Sequence, residues 1–271
     1  MLIAQITDTH IKRPGQLAYG KVDTAAMLQD CVGQLLQLDP QPDLVVLTGD
    51  LTDLGQPEEY AHLRRLLSPL PQEIIAIPGN HDERSAMRAA WQDFGYLPQK
   101  GFLHFALEDY PLRLIGLDTV VPGESGGELC AERLTWLAET LARQPEAPTL
   151  VLMHHPPFVT GIDHMDRIGL SGREAFTEIM RRNPQVELIL CGHLHRAIHA
   201  QIGGRPAVTC PSPAHQVALT LAPDAPSRFS MEPPGFMLHR WQDGQLVSHV
   251  AAIGKFDGPH PFFTEDSQLI D

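Results

Sequence analysis

From Leu2 to Cys191 the chain repeats one pattern: a short run of Ile, Val and Leu, a tight turn, then apolar residues at helical spacing. Alternation of this kind restricts the fold to the α/β class, because strands that are apolar throughout need both faces covered and the intervening helices cover them. The runs predict strands at 2–6, 44–48, 74–77, 102–107, 112–118, 149–153 and 186–191. Helices are predicted at 23–38, with Asp23 or Thr24 as cap, at 57–67 behind Pro57-Glu58-Glu59, after Asp82, at 132–141 and at 172–182. Beyond His195 the texture changes to alternating runs broken by Gly203-Gly204, Pro211 to Pro213 and Asp243-Gly244, which predicts antiparallel strands and loops. The Pro-rich stretch 223–234 reads as a long loop of the kind that forms lids or interface arms.

With 271 residues, 43% of them hydrophobic, the chain can bury the core of one large domain. Twenty Lys and Arg against 33 Asp and Glu give a net charge of -13, which repels polyanions and argues against a long nucleic-acid partner. A small phosphate ester is still allowed, since bound dications would dominate the local field. Cys31, Cys130, Cys191 and Cys210 are scattered without zinc-knuckle or dithiol spacing and read as reduced thiols of a cytosolic protein, although Cys191 and Cys210 each close an apolar run and are placed on neighbouring strands. Leu2 to Ile6 starts without a basic leader region, and no apolar run reaches membrane-spanning length. The expectation is a cytoplasmic protein with no membrane partner.

The residues directly after the apolar runs carry the chemistry. Ile6 leads into Asp8-Thr9-His10, Leu47 into Gly49-Asp50, Ile77 into Gly79-Asn80-His81-Asp82, Met153 into His154-His155, and Leu190 into Gly192-His193-Leu194-His195. Ligands of open α/β sheets gather beyond the carboxyl ends of the strands, so five such clusters are expected to converge. Any one Asp or Asn after a strand is ordinarily a turn residue or a helix cap. Gly-Asn-His-Asp is sharper, because a glycine permits a tight turn that aims three polar side chains in different directions. In Gly-His-x-His, alternate residues of an extended segment project to one side, so both imidazoles can face one site. A mixed oxygen and nitrogen set without cysteine suits Mn, Fe, Zn or Co better than Ca or Mg, and argues against a structural zinc site.

The order Asp-x-His, Gly-Asp, Gly-Asn-His-Asp, His-His, Gly-His-x-His resembles the calcineurin-like metallophosphoesterase superfamily. Within it the chain looks most like the class III cyclic nucleotide phosphodiesterases and the related glycerophosphodiesterase. Ser212-Pro213-Ala214-His215-Gln216-Val217 and Glu232-Pro233-Pro234-Gly235-Phe236 are similar to that subgroup's C-terminal segments. The resemblance implies a four-layer αββα sandwich of two mixed sheets. Residues 1–196 would form a core carrying every ligand, and 197–271 would complete the second sheet and supply a lid or dimerisation loop within the same domain. It further implies two metal ions, one held by Asp8, His10, Asp50 and His195 and the other by Asp50, Asn80, His154 and His193, with Asp50 bridging. Hydroxide made at this centre would attack the phosphorus of a small diester, a 3',5'-cyclic nucleotide or a glycerophosphodiester. His81, not a ligand in the family, would contact the phosphate or protonate the leaving alkoxide, with Asp82 fixing its orientation.

His215 matches a pocket histidine of the glycerophosphodiesterase, and Tyr19 of Tyr19-Gly20-Lys21-Val22-Asp23 lies in a segment placed near the pocket. His155 reads either as a neighbour orienting a ligand or as a packing residue. The other histidines, His164 among them, read as ordinary. The relative's intersubunit disulfide does not carry over, because Leu54 follows the second motif and no cysteine lies beyond Cys210. A homo-oligomer through the C-terminal hairpins stays an expectation. The competing readings are a phosphomonoesterase or protein phosphatase on the same fold, a nuclease that the acidic balance disfavours, and a non-catalytic scaffold, which would be expected to have lost ligands.

Overall fold

A computed structural model describes residues 1–270 and arranges them as two mixed sheets between two layers of helices. The last residue of the expected C-terminal unit, Asp271, lies outside the described residues. In the first sheet β1 (Leu2–Ile6), β2 (Leu44–Thr48) and β3 (Glu73–Ile77) run parallel, and β14 (Gly235–Gln242) and β15 (Gln245–Ala252) extend it antiparallel in the order β15-β14-β1-β2-β3. The second sheet runs β10 (Ile198–Ile202), β11 (Arg205–Thr209), β9 (Val186–Cys191), β7 (Thr149–Met153), β5 (Arg113–Leu117), β4 (Phe105–Leu107), with its four central strands parallel and its two edges antiparallel. Residues after 197 therefore serve both sheets: β10 and β11 complete the second, whereas β14 and β15 extend the first.

Strand periodicity sorts the core. Leu114, Leu150, Leu152 and Leu190 pack with Ile3, Val45 and Phe236 in one cluster that also takes in α1 (Thr24–Leu35), α2 (Pro57–Leu67) and α3 (Arg84–Ala90). Their strand neighbours Ile115, Val151, Met153 and Ile189 point the other way, onto Leu137 and Leu141 of α4 (Ala131–Arg143) and Phe176 and Met180 of α6 (Arg173–Arg182). Asp23 caps α1 by accepting the Ala26 amide at 3.0 Å. That helix ends at Leu35 rather than near Leu38, because the Gln41 side-chain amide binds the carbonyls of Leu35, Leu36 and Leu38.

Three local expectations change. Residues 102–104 do not join β4: the Leu103 amide donates to Asp118 Oδ2 (2.9 Å) and the Asp118 amide to His104 Nδ1 (3.0 Å), so side chains take the place of the ladder. The 223–234 loop contains a short strand, β13 (Phe229–Ser230), paired with β12 (Gln216–Val217). The stretch between β7 and α6 forms a one-turn helix, α5 (Asp163–Asp166), and its end β8 (Leu170–Ser171) pairs with β6 (Gly127–Glu128). Cys191 and Cys210, on or beside the neighbouring strands β9 and β11, are free thiols, as are Cys31 and Cys130.

Candidate metal centre

The carboxyl ends of β1, β2, β3, β7 and β9 open onto one edge of the sandwich, and the residues just beyond them meet there. Asp8 and His154 are fully buried at the floor, while His10, Asp50, Asn80, His193 and His195 line a cavity of about 440 Å³. Asp50 Oδ2 lies 3.6 Å from His10 Nε2 and 3.4 Å from His154 Nε2. On one side of it Asp8, His10 and His195 bring donor atoms within 4.8 Å of one another, with His195 Nε2 3.4 Å from Asp8 Oδ1 and 3.2 Å from His10 Nε2. On the other side His154 and His193 do the same, and Asn80 Oδ1 is 3.2 Å from His154 Nε2. One carboxylate thus stands between two sets of donors.

The loops that hold these groups are bent in an unusual way. Asp8, His10, Asp50, His193 and His195 have φ of 52°, 43°, 49°, 69° and 52°, the left-handed region that side chains other than glycine rarely adopt. Each costs on the order of 1 kcal/mol and persists only where its surroundings over-determine it. Here they do: the His193 amide donates to both Asp8 carboxylate oxygens (3.1 and 3.0 Å), the His81 amide to Asp50 Oδ1 (2.9 Å), the Asp8 amide to the Gly49 carbonyl (3.0 Å) and the His10 amide to the Asp50 carbonyl (3.0 Å). Gly79 was expected to supply a turn, but it serves close approach instead. A Cβ there would overlap the backbone nitrogen and carboxylate of Asp50, and one on Gly192 would overlap Thr7 Oγ1.

Ring orientation follows from the outer hydrogen bonds. A carbonyl only accepts, so His154 Nδ1 donates to Thr48 O (2.8 Å), His195 Nδ1 to His215 O (3.0 Å) and His193 Nε2 to Ile168 O (3.2 Å), leaving the opposite nitrogens to face the centre. Burial raises the Asp8 carboxyl to about 6, partly offset by His154. Asp50 goes the other way: burial alone would raise it, but His154 and His81 hold it well below the carboxylate range. His154 stands at about 9 because Asp50 outweighs the desolvation of its ring, and burial pushes His193 down to about 3. Among the described residues no Lys or Arg pairs with Asp8 or Asp50, whose charged contacts are His10, His154 and His195. Buried carboxylates that draw a proton onto a histidine mark a place where cations fit, since a metal displaces such protons.

The remaining predicted residues fall into place unevenly. His81 lines the cavity, with Nδ1 donating to the Asp53 carbonyl (2.8 Å) and its ring edge-on to His10. Asp82 does not reach it, which corrects the expected orienting role. Its carboxylate instead accepts from the amides of Leu51 (3.0 Å), Thr52 (3.3 Å) and Gly79 (2.9 Å) and from the Tyr60 hydroxyl (2.8 Å), tying the β2 and β3 loops together. Asp53, not anticipated, is the residue that backs His81 and also sits 3.6 Å from His10 Nδ1. His155 has both ring nitrogens engaged, by Thr119 Oγ1 (2.8 Å) and the Ser125 carbonyl (3.1 Å), and packs against His154 and His193. Tyr19 and His215 both line the cavity, Tyr19 57% exposed with its ring on His215 and Phe229. The outer wall, His164, Met165, Ile168, Val217 and Ser227 to Phe229, was missed. Its only sequence signal was the length of the loops that carry it.

Comparison with known proteins agrees with this architecture. The profile of the calcineurin-like phosphoesterase family matches residues 1–197. A probable glycerophosphodiester phosphodiesterase of Arcobacter nitrofigilis is 41% identical over 273 residues, covering 100% of both chains. The 3',5'-cyclic adenosine monophosphate phosphodiesterase of Escherichia coli K12 is 32% identical over 92% of this chain and 88% of its own. In three dimensions a dimetal phosphatase from Danio rerio superposes with a TM-score of 0.67 over 93% of this chain and 98% of its own, at 14% identity, which speaks to the fold alone.

Proposed function

Because this chain belongs to the calcineurin-like phosphoesterase family, we propose that it is a binuclear-metal phosphodiesterase acting on small phosphodiesters, glycerophosphodiesters or 3',5'-cyclic nucleotides. It is a hydrolase of phosphoric diesters. The observation that carries the reading is Asp50 between two donor sets, within 3.6 Å of His10 Nε2 and 3.4 Å of His154 Nε2. In our reading Asp8, His10, Asp50 and His195 hold one ion and Asp50, Asn80, His154 and His193 the other, with iron, manganese, zinc or cobalt as the candidates. Two bound cations would neutralise charge on the phosphoryl oxygens and lower the pKa of a water enough to make a nucleophile near neutral pH.

The chain's own groups do the rest. The Asp53 carbonyl holds His81 through Nδ1, so Nε2 is the nitrogen that meets the phosphoryl or leaving oxygen. Tyr19, His215 and Phe229 form an aromatic rim over the entrance. Asp82 acts as a brace of the ligand loops rather than a catalytic group. The monoesterase reading loses support from the arginines that would grip a dianion. Arg196 is occupied by Glu232 (2.7 Å) and the Val217 carbonyl (2.9 Å), and Arg205 by the Pro184 carbonyl (2.7 Å). No helix is long and apolar enough to cross a membrane among the described residues. We take the exposed Phe256, Phe262, Phe263 and Leu269 of the C-terminal arm as the contact surface of a homo-oligomer in the cytoplasm.

The test is elemental analysis and turnover together. Protein reconstituted with manganese should hold two ions per chain, hydrolyse bis(p-nitrophenyl) phosphate faster than p-nitrophenyl phosphate, and lose both properties on Asn80→Ala. Full turnover after exhaustive chelation, or a preference for the monoester, overturns the proposal.

A further inference from the structure

The cavity has a wall for which the metal centre has no use. His164 stands on it, on α5, with neither ring nitrogen bonded to another group and both shut away from solvent. Every neighbour of His164 has a structural task. Met165 is buried against Ile162, Leu194 and Val217. The Asp166 carboxylate accepts the Thr160 amide (2.8 Å), the Thr160 hydroxyl (2.9 Å) and the Gly161 amide (2.8 Å). Arg167 reaches Asp163 (2.5 Å) and Asp224 (2.7 Å), joining the loop to the 218–228 segment. The turn is thus held without the imidazole, and a buried donor and acceptor with no partner are a cost that folding does not recover.

We propose that His164 is a specificity-determining residue that hydrogen-bonds a hydroxyl on the alcohol esterified to the scissile phosphate. An imidazole offers one donor and one acceptor, the complement of a hydroxyl, which both donates and accepts. Met165, Ile168, Val217 and Phe229 surround it on the wall, so the bond forms where water competes poorly. No carboxylate other than Asp50 lines the cavity, which leaves the hydroxyl of the alcohol, rather than a cationic head group, as the feature this wall can read. The inference rests on the phosphodiesterase reading. Glycerol and the ribose 2'-hydroxyl of a cyclic nucleotide share the chemistry.

The experiment compares metal-loaded wild type, His164→Ala and His164→Asn on glycerophosphoethanolamine, cyclic AMP and bis(p-nitrophenyl) phosphate, the last lacking any alcohol hydroxyl. His164→Ala should lower kcat/KM on a hydroxyl-bearing diester about fivefold more than on the aryl diester, mostly through KM, with partial rescue by Asn. The diester affected identifies the source of the hydroxyl. Calorimetric binding of glycerol 3-phosphate and 5'-AMP against inorganic phosphate reads the same contact without turnover: affinity for one of the first two should fall and that for phosphate should not. Equal loss on all three diesters, or no change in any binding ratio, overturns the assignment. A wild type that turns over no diester defeats the phosphodiesterase reading instead, and the binding ratios still judge His164. Asn at 164 guards against a variant that merely loosens α5.

Discussion

The inner and outer halves of the cavity are held by opposite means. Inside, Asp8, His10, Asp50, His193 and His195 sit on left-handed backbone, cross-linked by amide-to-carboxylate bonds and pressed against glycines that leave no room for a methyl group. Outside, His164 has no partner at all, Tyr19 is largely exposed, and the 218–228 segment is fastened to α5 by the surface ion pair of Arg167 with Asp224. The difference teaches where tolerance lies. A centre that positions charge cannot shift by half an ångström, so several independent constraints converge on each of its groups. A wall that selects an alcohol needs only the right surface, and one group there can change without disturbing the others.

The contrast can be broken most directly at the bridge. Asp50→Ala should lower turnover of bis(p-nitrophenyl) phosphate by about 10³-fold and leave fewer than two ions per chain, read by elemental analysis. Retention of both ions would mean the two donor sets are independent. His81→Ala should cost about 10²-fold in kcat while both metals stay bound, and loss of metal with it would move His81 from the reaction into the cradle. Gly79→Ala tests the close approach: the added methyl should destabilise the protein by about 3 kcal/mol in chemical denaturation and weaken metal uptake.

Between the sheets, a buried chain of polar groups gives a reference belonging to neither half. His239 bonds Gln5 Oε1 (3.0 Å) and Ser248 Oγ (2.8 Å), and its ring, lowered to about 3 by burial and then by His249, stays neutral in the folded protein. The unfolded chain takes up that proton near 6.5, so this stability is complete above 6.5 and falls away as pH drops toward 3. Acid denaturation of the chelated protein should therefore be less steep in His239→Gln. The smallest effect is expected at the surface: Arg167→Ala should change the denaturation midpoint by no more than about 1 kcal/mol and shift KM rather than kcat. A large loss of stability there would show that the outer wall is braced as firmly as the centre.

Legibility in the sequence follows the same division. Each centre residue stands one to five positions after an apolar strand, and buried parallel strands declare themselves by composition, so strand ends and their ligands could be read together. Asp82 was located but misread, because its partners Leu51, Thr52 and Tyr60 lie on other elements and only the fold brings them to it. Gly79 was read as a turn when its role is to admit Asp50, a contact between β2 and β3 that no local pattern records. His164 sits on one helical turn inside a loop, with no periodicity to mark which way it faces.

By itself, the chain's order of apolar runs and polar clusters determined the α/β class, the seven centre residues and the kind of ion they suit, because strand burial and ligand chemistry are properties of short segments. Which group braces, which touches substrate and which faces the empty side of a cavity was decided only in three dimensions. Those roles depend on distances between residues from different elements, and hydrogen bonds of about 3 Å carry no trace in sequence spacing.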